Sequence, residues 1–413
     1  MKTTAATPTR RILMCVSGMS PAVITETLYA LVTQQTPFMP DEIHVVTTLD
    51  GKQKVLDALL TPITGYFHRL MQEYLPGKTI RFDADTVHVI GQIRQTVATP
   101  SGSWLTGLIP SEAPKLEEVQ LKDITTNADN QAAADTIYRV MRELKTVPGT
   151  VLHASVAGGR KSMSFYMGHS FSLLAETDDT LSHVLVNEPF ENPKLNFFYP
   201  PLIPVPLHWG TGELHTISTD QAEVKLAELS VLKLGGLMGK DWPVKAHTSF
   251  DFAVRLAQAA LVVPELRVVL ENGIGWLEIC GERIELSPQQ FTVFALYAMA
   301  RRNESALPDG PSLSLEDLPQ ELWETLGEDL NGGRLSVETS NFSPIRSKIR
   351  DALVKAIGPV AHHFKIEADD TIKKSKGTSR PIFLNAPAEV IKLVGMNEWW
   401  HQLKEVLRSR SAS

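Results

Sequence analysis

ILMCVSGMSPAVITETLYALV (Ile12–Val32) opens on a short apolar run, breaks at Ser17-Gly18, and continues with apolar residues at helical spacing. Ile24, Leu28, Leu31 and Val32 fall at i, i+4, i+7 and i+8, the spacing of a buried helical face. Pro21 suits a first helical position and Ser20 the cap before it. The stretch reads as strand, tight loop, helix. The same order returns in VLHASVAGGRKSMSFYMG (Val151–Gly168). There Val151–Ala157 is a strand, Gly158-Gly159 a turn, and Lys161–Ala175 a helix with Met163, Met167, Phe171 and Leu174 on its apolar face.

Working outward, Glu42–Thr48 predicts a second strand, Val55–Leu75 a helix and Thr79–Ile90 a third strand. Gly91–Asp123 carries few periodic signals and reads as a long loop, a feature that is usually functional or mobile. Ala128–Lys145 is a helix and Leu181–Asn187 a further strand. Strands and helices alternating at this spacing imply right-handed crossovers and a parallel sheet, hence a doubly wound, Rossmann-like α/β domain. Such sheets bind ligands outside the carboxyl ends of their strands, at the switch point. Pro189–Gly212, rich in proline and aromatics, reads as a connector packed on that domain. Glu213–Val262 shows one helix, Phe250–Leu261.

From Pro264 the pattern changes to a hairpin about Asn272-Gly273, a strand at Ile284–Leu286 and a helix opened by Ser287-Pro288. A second helix, Ser343–Ile357, precedes a strand-turn-strand with a basic tip at Lys373–Arg380. The expected domains are 1–212, a connector over 213–263, and an α+β domain over 264–413.

Bulk properties bound the function. A chain of 413 residues exceeds one ordinary core. Its 43% hydrophobic and 21% charged residues are those of a globular protein outside the membrane, and no apolar run approaches the ~20 residues of a membrane span. The polar N-terminus does not read as a signal peptide. Two distant cysteines, Cys15 and Cys280, exclude a disulfide framework or a cysteine zinc site and suit the cytoplasm. The net charge of −7 is uneven: residues 341–413 hold 13 Lys/Arg against 7 Asp/Glu, the remainder 27 against 40. A basic end on an acidic body is compatible with nucleic-acid contact or with a solvated helical surface.

Two constellations carry chemistry. Ser17-Gly18-Met19-Ser20 leads into a helix whose N-terminus favours anions. Its hydroxyls can bond phosphate or ribose, or merely cap and turn the chain. Gly158-Gly159-Arg160-Lys161-Ser162-Met163 is more specific. Two glycines allow close backbone approach, while two cations at a helix N-terminus oppose its dipole and call for a negative partner. That partner is a bound phosphodiester or an internal carboxylate such as Glu26 or Asp129. No GxxxxGK[ST] occurs, so the loop is not a P-loop.

Together these loops resemble the CARF domains, the CRISPR-associated Rossmann folds that bind cyclic oligoadenylates. The likeness lies in LMCVSGMSPAVITETLYALV (Leu13–Val32), in VLHASVAGGRKSMSFYMG, and in the helix NADNQAAADTIYRV (Asn127–Val140) between them. It spans roughly residues 10–235. More narrowly, the chain is similar to the ring nuclease branch, whose opening signature is SGLSP…TETLYAL.

The resemblance implies a homodimer with one cyclic oligoadenylate, cyclic tetra-adenylate foremost, lying across its two-fold axis. It also implies metal-independent cleavage by a ribose 2′-hydroxyl, with no cofactor and no metal ligand. Lys161 is then the catalytic charge, with Arg160 and Ser17 or Ser20 assisting. Gly18, Met19, Ser20, Thr25, Gly158, Gly159, Ser162 and Met163 line the ligand. Asp129 and Asn130 contact adenine edges or cap their helix, and Gln92 and Arg94 form a lid. His153 and His169 read as structural.

Effector ribonucleases of the HEPN type carry Arg, four to six residues, then His on a helix. The match here, Arg81 to His88, falls in a strand-like segment and reads as chance. The region 266–386 instead resembles winged-helix domains of response regulators. Arg346, Lys348 and Arg350 on the recognition helix, with Lys373, Lys374 and Lys376 at the wing tip, are the nucleic-acid candidates. Two functions stay open: a ring nuclease that ends a signal, and a cyclic-oligoadenylate-responsive DNA-binding regulator that does not cut.

Overall fold

The computed structural model describes residues 10–96, 115–209, 215–235, 249–307, 313–330, 342–368 and 382–411. The chain divides into two compact units, one running to Leu237 and including Thr248–Phe250, the other formed by Met238–His247 and Asp251–Ser413. No helix among the described residues is long and apolar enough to cross a membrane.

The first unit is built on a six-stranded sheet of order β3-β2-β1-β6-β7-β10. Its strands are β1 (Arg10–Val16), β2 (Glu42–Thr47), β3 (Val87–Val89), β6 (Thr150–Ser155), β7 (Thr180–Val186) and β10 (Val224–Glu228). All pairs are parallel except β10 with β7. β1 is central, and Ile12–Val16 are fully buried because both faces of the sheet are covered. Ile12, Met14 and Val16 point to one core with α4 (Asn127–Lys145) and α5 (Lys161–Leu174). Leu13 and Cys15 point to the other, with α1 (Ala22–Thr33), α2 (Leu49–Leu59) and α3 (Tyr66–Tyr74). The order reverses between β1 and β6: from β1 the chain winds to β2 and β3, from β6 to β7.

Four local readings are corrected. α1 begins at Ala22, with Pro21 at the cap and no side-chain capping bond from Ser20. The helix expected over Val55–Leu75 is two, α2 and α3, because Pro62 and Gly65 interrupt it and Ile63 takes φ +69°. Thr79–Ile90 contributes strand only at Val87–Val89, after a turn in which the Asp83 carboxylate accepts the Asp85 and Thr86 amides. Gly91–Asp123 is no plain loop. It holds an antiparallel ribbon, β4 (Gly91–Thr96) paired with β5 (Lys115–Gln120), from Gly91↔Gln120 to Thr96↔Lys115. The connector likewise contains β8 (Pro206–Trp209), paired with β9 (His215–Ser218).

The second unit carries a four-stranded sheet of order β13-β12-β11-β16. β11 (Leu266–Glu271) and β12 (Ile274–Ile279) form a hairpin about Asn272 and Gly273, whose φ values of +52° and +74° suit a primed turn. β13 (Glu282–Glu285) pairs with β12, and β16 (Ile391–Val394) runs parallel to β11. α6 (Phe250–Leu261) precedes the sheet. α7 (Pro288–Arg302) is the central helix, with every residue from Phe291 to Ala300 buried. Ser287 and Gln290 close a capping box at its start, where Pro288 needs no amide partner. α8 (Gln320–Glu328), α9 (Ser343–Ile357) and α10 (Asn397–Ser411) complete the helices described. β14 (Ile366–Ala368) pairs antiparallel with β15 (Ile382–Leu384), and the expected basic tip between them lies outside the described residues.

Candidate ligand site at the strand exits

β1 and β6 are neighbours, so the chain leaves their carboxyl ends side by side. The two loops touch: a β-carbon on Gly18 would stand 3.1 Å from Gly159 Cα. Gly158 has φ +97°, and a β-carbon there would lie 2.9 Å from the Val16 carbonyl oxygen and from Val23 Cγ2. Gly159 has φ +71° and sits over Met163 Sδ, 2.9 Å from where its β-carbon would be. Positive φ together with these close approaches favours glycine at positions 158 and 159. The start of α2 joins it, since a β-carbon on Gly51 would fall 3.0 Å from the Gly18 carbonyl oxygen. Three helix N-termini, of α1, α2 and α5, therefore follow strand exits at the end of the sheet where it reverses.

The structure sorts the expected site residues. Lys161 is the first residue of α5, exposed, and paired with no carboxylate among the described residues. Met19, Ser20, Gly159 and Arg160 are also exposed, Ser162 and Gly18 half-buried. Ser17 is fully buried, its hydroxyl 3.5 Å from the Gly18 and Ser20 carbonyl oxygens. Thr25 is buried too and donates to the Ala22 carbonyl at 3.0 Å, while Met163 packs in the core under Gly159.

Asp129 is committed to its helix. Thr126 caps α4, and the Asp129 carboxylate accepts the Thr125 and Thr126 amides at 3.0 and 2.9 Å, bonds that hold it below the usual carboxylate range. Its other oxygen accepts Gln92 Nε2 at 2.8 Å, which ties the ribbon to α4. Asn130 Nδ2 donates to the Tyr166 hydroxyl at 2.6 Å. Arg94 lies on β4, with its side chain outside the described residues.

The carboxylate that answers the paired cations is neither Glu26 nor Asp129. Asp123, in the turn between β5 and α4, receives Arg160 Nε at 2.9 Å and also Arg160 Nη2. The Arg160 guanidinium holds the Asp123 carboxyl below its ordinary range. Sequence reading missed Asp123, because a lone acid in a stretch without periodicity gives no signal. Glu26 is buried in α1, and desolvation pushes its carboxyl up to about 7.

Neither histidine stands ready as a base. His153 is clamped between the Ser182 hydroxyl at 2.7 Å and the Thr180 hydroxyl at 2.6 Å, and burial lowers it to about 4. His169 packs edge-on against Phe165 and Phe250, and burial lowers it as well. Among the described residues no three His, Cys, Asp or Glu side chains converge as a metal site.

In the second unit, Arg346 and Arg350 are one turn apart on α9 and line a groove of about 450 Å³ with Lys365 and Glu367. Lys348, two residues on from Arg346, is exposed and does not line it. Arg346 Nη1 is buried, and Arg350 rests on Asp351 and Ser347. Lys373, Lys374 and Lys376 lie outside the described residues.

A family profile described as CRISPR-associated protein NE0113 (Cas_NE0113) matches residues 20–99 and 112–259, more than half of the chain. The match begins at Ser20, at the end of the first loop, and includes the whole of the second. No curated protein matches the chain.

Proposed function

The chain belongs to the CRISPR-associated protein NE0113 family, and from that premise we propose that it is a ring nuclease with a Rossmann-like CARF domain. It binds a cyclic oligoadenylate, cyclic tetra-adenylate foremost, across a two-fold homodimer and cuts it without a metal. The observation that carries this reading is Lys161: an exposed cation at a helix N-terminus, unpaired among the described residues, beside two strand-exit loops in backbone contact.

The chemistry asks little of the protein beyond alignment and charge. A ribose 2′-oxygen attacks the adjacent phosphorus in line, and the bond to the 5′-oxygen breaks. The 2′-hydroxyl proton passes through solvent and the 5′-oxygen leaves as a hydroxyl. The product is linear with a 2′,3′-cyclic phosphate. Charge builds on the non-bridging oxygens of the phosphorane, where Lys161 and the amides at the start of α5 stabilise it. Exposed Ser20 is better placed than buried Ser17 to orient the ribose. Cutting the ring would end the antiviral signal it carries. A ring bearing 2′-O-methyl groups tests the attack: it should bind and stay intact, whereas its cleavage would sink the 2′-hydroxyl route.

A second reading, a DNA-binding regulator that only senses the ring, draws on the second unit. The succession β11 to β13, α7, α8, α9, then the β14–β15 pair follows a winged-helix order, and the Arg346–Arg350–Lys365 groove offers phosphate contacts. A salt-sensitive gel shift with promoter DNA tests it.

A further inference from the structure

We propose that Asp123 is a positioning residue for the ring-cutting site: its carboxylate takes Arg160 out of ligand contact and fixes the β6–α5 loop, leaving Lys161 to meet the scissile phosphodiester. This rests on the ring-nuclease reading above.

Asp123 sits in a turn anchored on both sides. Before it, the Leu121 amide donates to Ile90 at 2.8 Å and the Leu121 carbonyl accepts from Leu49 at 2.7 Å. After it, the Asp129 carboxylate gathers the Thr125 and Thr126 amides. The Ile124 amide donates to Asp123 Oδ1 at 2.8 Å and orients the carboxylate itself. Arg160 follows two glycines at positive φ, Gly158 and Gly159, whose backbone packs against the first loop. Two bonds between one guanidinium and one carboxylate form a fork, which fixes direction as well as distance. The pair thus ties the Arg160 side chain to the anchored turn.

Charge points the same way. Two adjacent cations at a helix N-terminus repel its dipole, and pairing one of them removes half of that conflict. Arg160 is the one neutralised, while Lys161, the next residue, is paired with no carboxylate among the described residues. Both members of the pair are about half exposed, at 54% and 50%, so its role lies in geometry and not in global stability.

Asp123→Asn, Arg160→Gln and their double variant, assayed on labelled cyclic tetra-adenylate in EDTA, test the assignment. Positioning predicts that each single variant lowers kcat about three- to tenfold, with KM changed less than about twofold. The double variant should be no worse than either single, and Asp123→Glu should recover most of the rate. A large rise in KM for Arg160→Gln, with KM unchanged or lower for Asp123→Asn, would overturn it, because that is a ligand contact set free. Hydrogen exchange of the 158–163 amides in ligand-free protein gives a second arm. Exchange should quicken in both single variants, and identical exchange in all forms contradicts the proposal. If the wild-type protein leaves the ring intact, the ring-nuclease reading falls, and the exchange arm alone decides whether Asp123 holds the loop.

Discussion

Gly18 and Gly159 meet across neighbouring strand exits, with 3.1 Å between Gly159 Cα and the place a Gly18 β-carbon would occupy. The contact brings two loops from opposite windings of the sheet to one point. It also makes the junction intolerant of side chains. Gly158→Ala combines φ +97° with a clash against the Val16 carbonyl, and it should cost about 1–3 kcal/mol of stability. Urea denaturation checks this, and a wild-type midpoint would contradict it.

Lys161→Ala should separate stability from activity. The side chain is exposed and unpaired among the described residues, so the unfolding midpoint should stay within about 0.5 kcal/mol of wild type. Ring cleavage should fall by about 10²-fold or more, the scale of losing a transition-state charge contact. Full activity in this variant would remove Lys161 from the mechanism.

Glu26 should make the protein less stable as pH rises. Its folded pKa, about 7, lies above the ordinary 4.5, so the folded state holds the proton more tightly. The Glu26 contribution is therefore fully present below about 4.5 and is lost as pH climbs through 7. Glu26→Gln should abolish that decline and gain about 3 kcal/mol at pH 8 relative to wild type. Thermal unfolding across pH 4–8 reads it, and parallel curves for the two proteins would refute the assignment.

His88 predicts the opposite slope. Burial, with the neighbouring His44, Arg139 and Lys52, lowers it to about 4, and its Nε2 lies 3.0 Å from His44 Nδ1. The unfolded chain then binds the proton more tightly, and stability is lost as pH falls from 6.5 towards 4. Because this acid limb partly cancels that of Glu26, it is visible in the difference between His88→Asn and wild type. That difference should shrink on acidification by about 2 kcal/mol.

The DNA reading makes its own forecast. Arg350→Ala and Lys365→Ala should each weaken duplex binding and reduce the salt slope by about 1. Lys348→Ala, outside that groove, should change it less. Equal effects at all three positions would mean that the groove is not the contact surface.

Much of this was legible in sequence where burial is two-sided. β1 and α4 announce themselves through Ile12–Val16 and the Ala132–Ile137–Val140–Met141 face, because the core dictates those residues. The glycines of the second loop were legible for a similar reason, since positive φ admits little else. What escaped was structure held by polar contacts. The β4–β5 ribbon carries mixed, mostly polar residues and so imposes no apolar period, and Asp123 depends on a partner 37 residues away. Nor can sequence tell a hydroxyl that lines a loop from one turned inward. Ser17 and Thr25 read as ligand contacts, yet both are buried, and Thr25 bonds its own helix.

The most direct test of the central claim is single-turnover incubation of the pure protein with labelled cyclic tetra-adenylate in EDTA. Wild type should yield linear product ending in a 2′,3′-cyclic phosphate, and Lys161→Ala should yield little or none. Ring recovered intact from the wild-type reaction after hours would contradict the account.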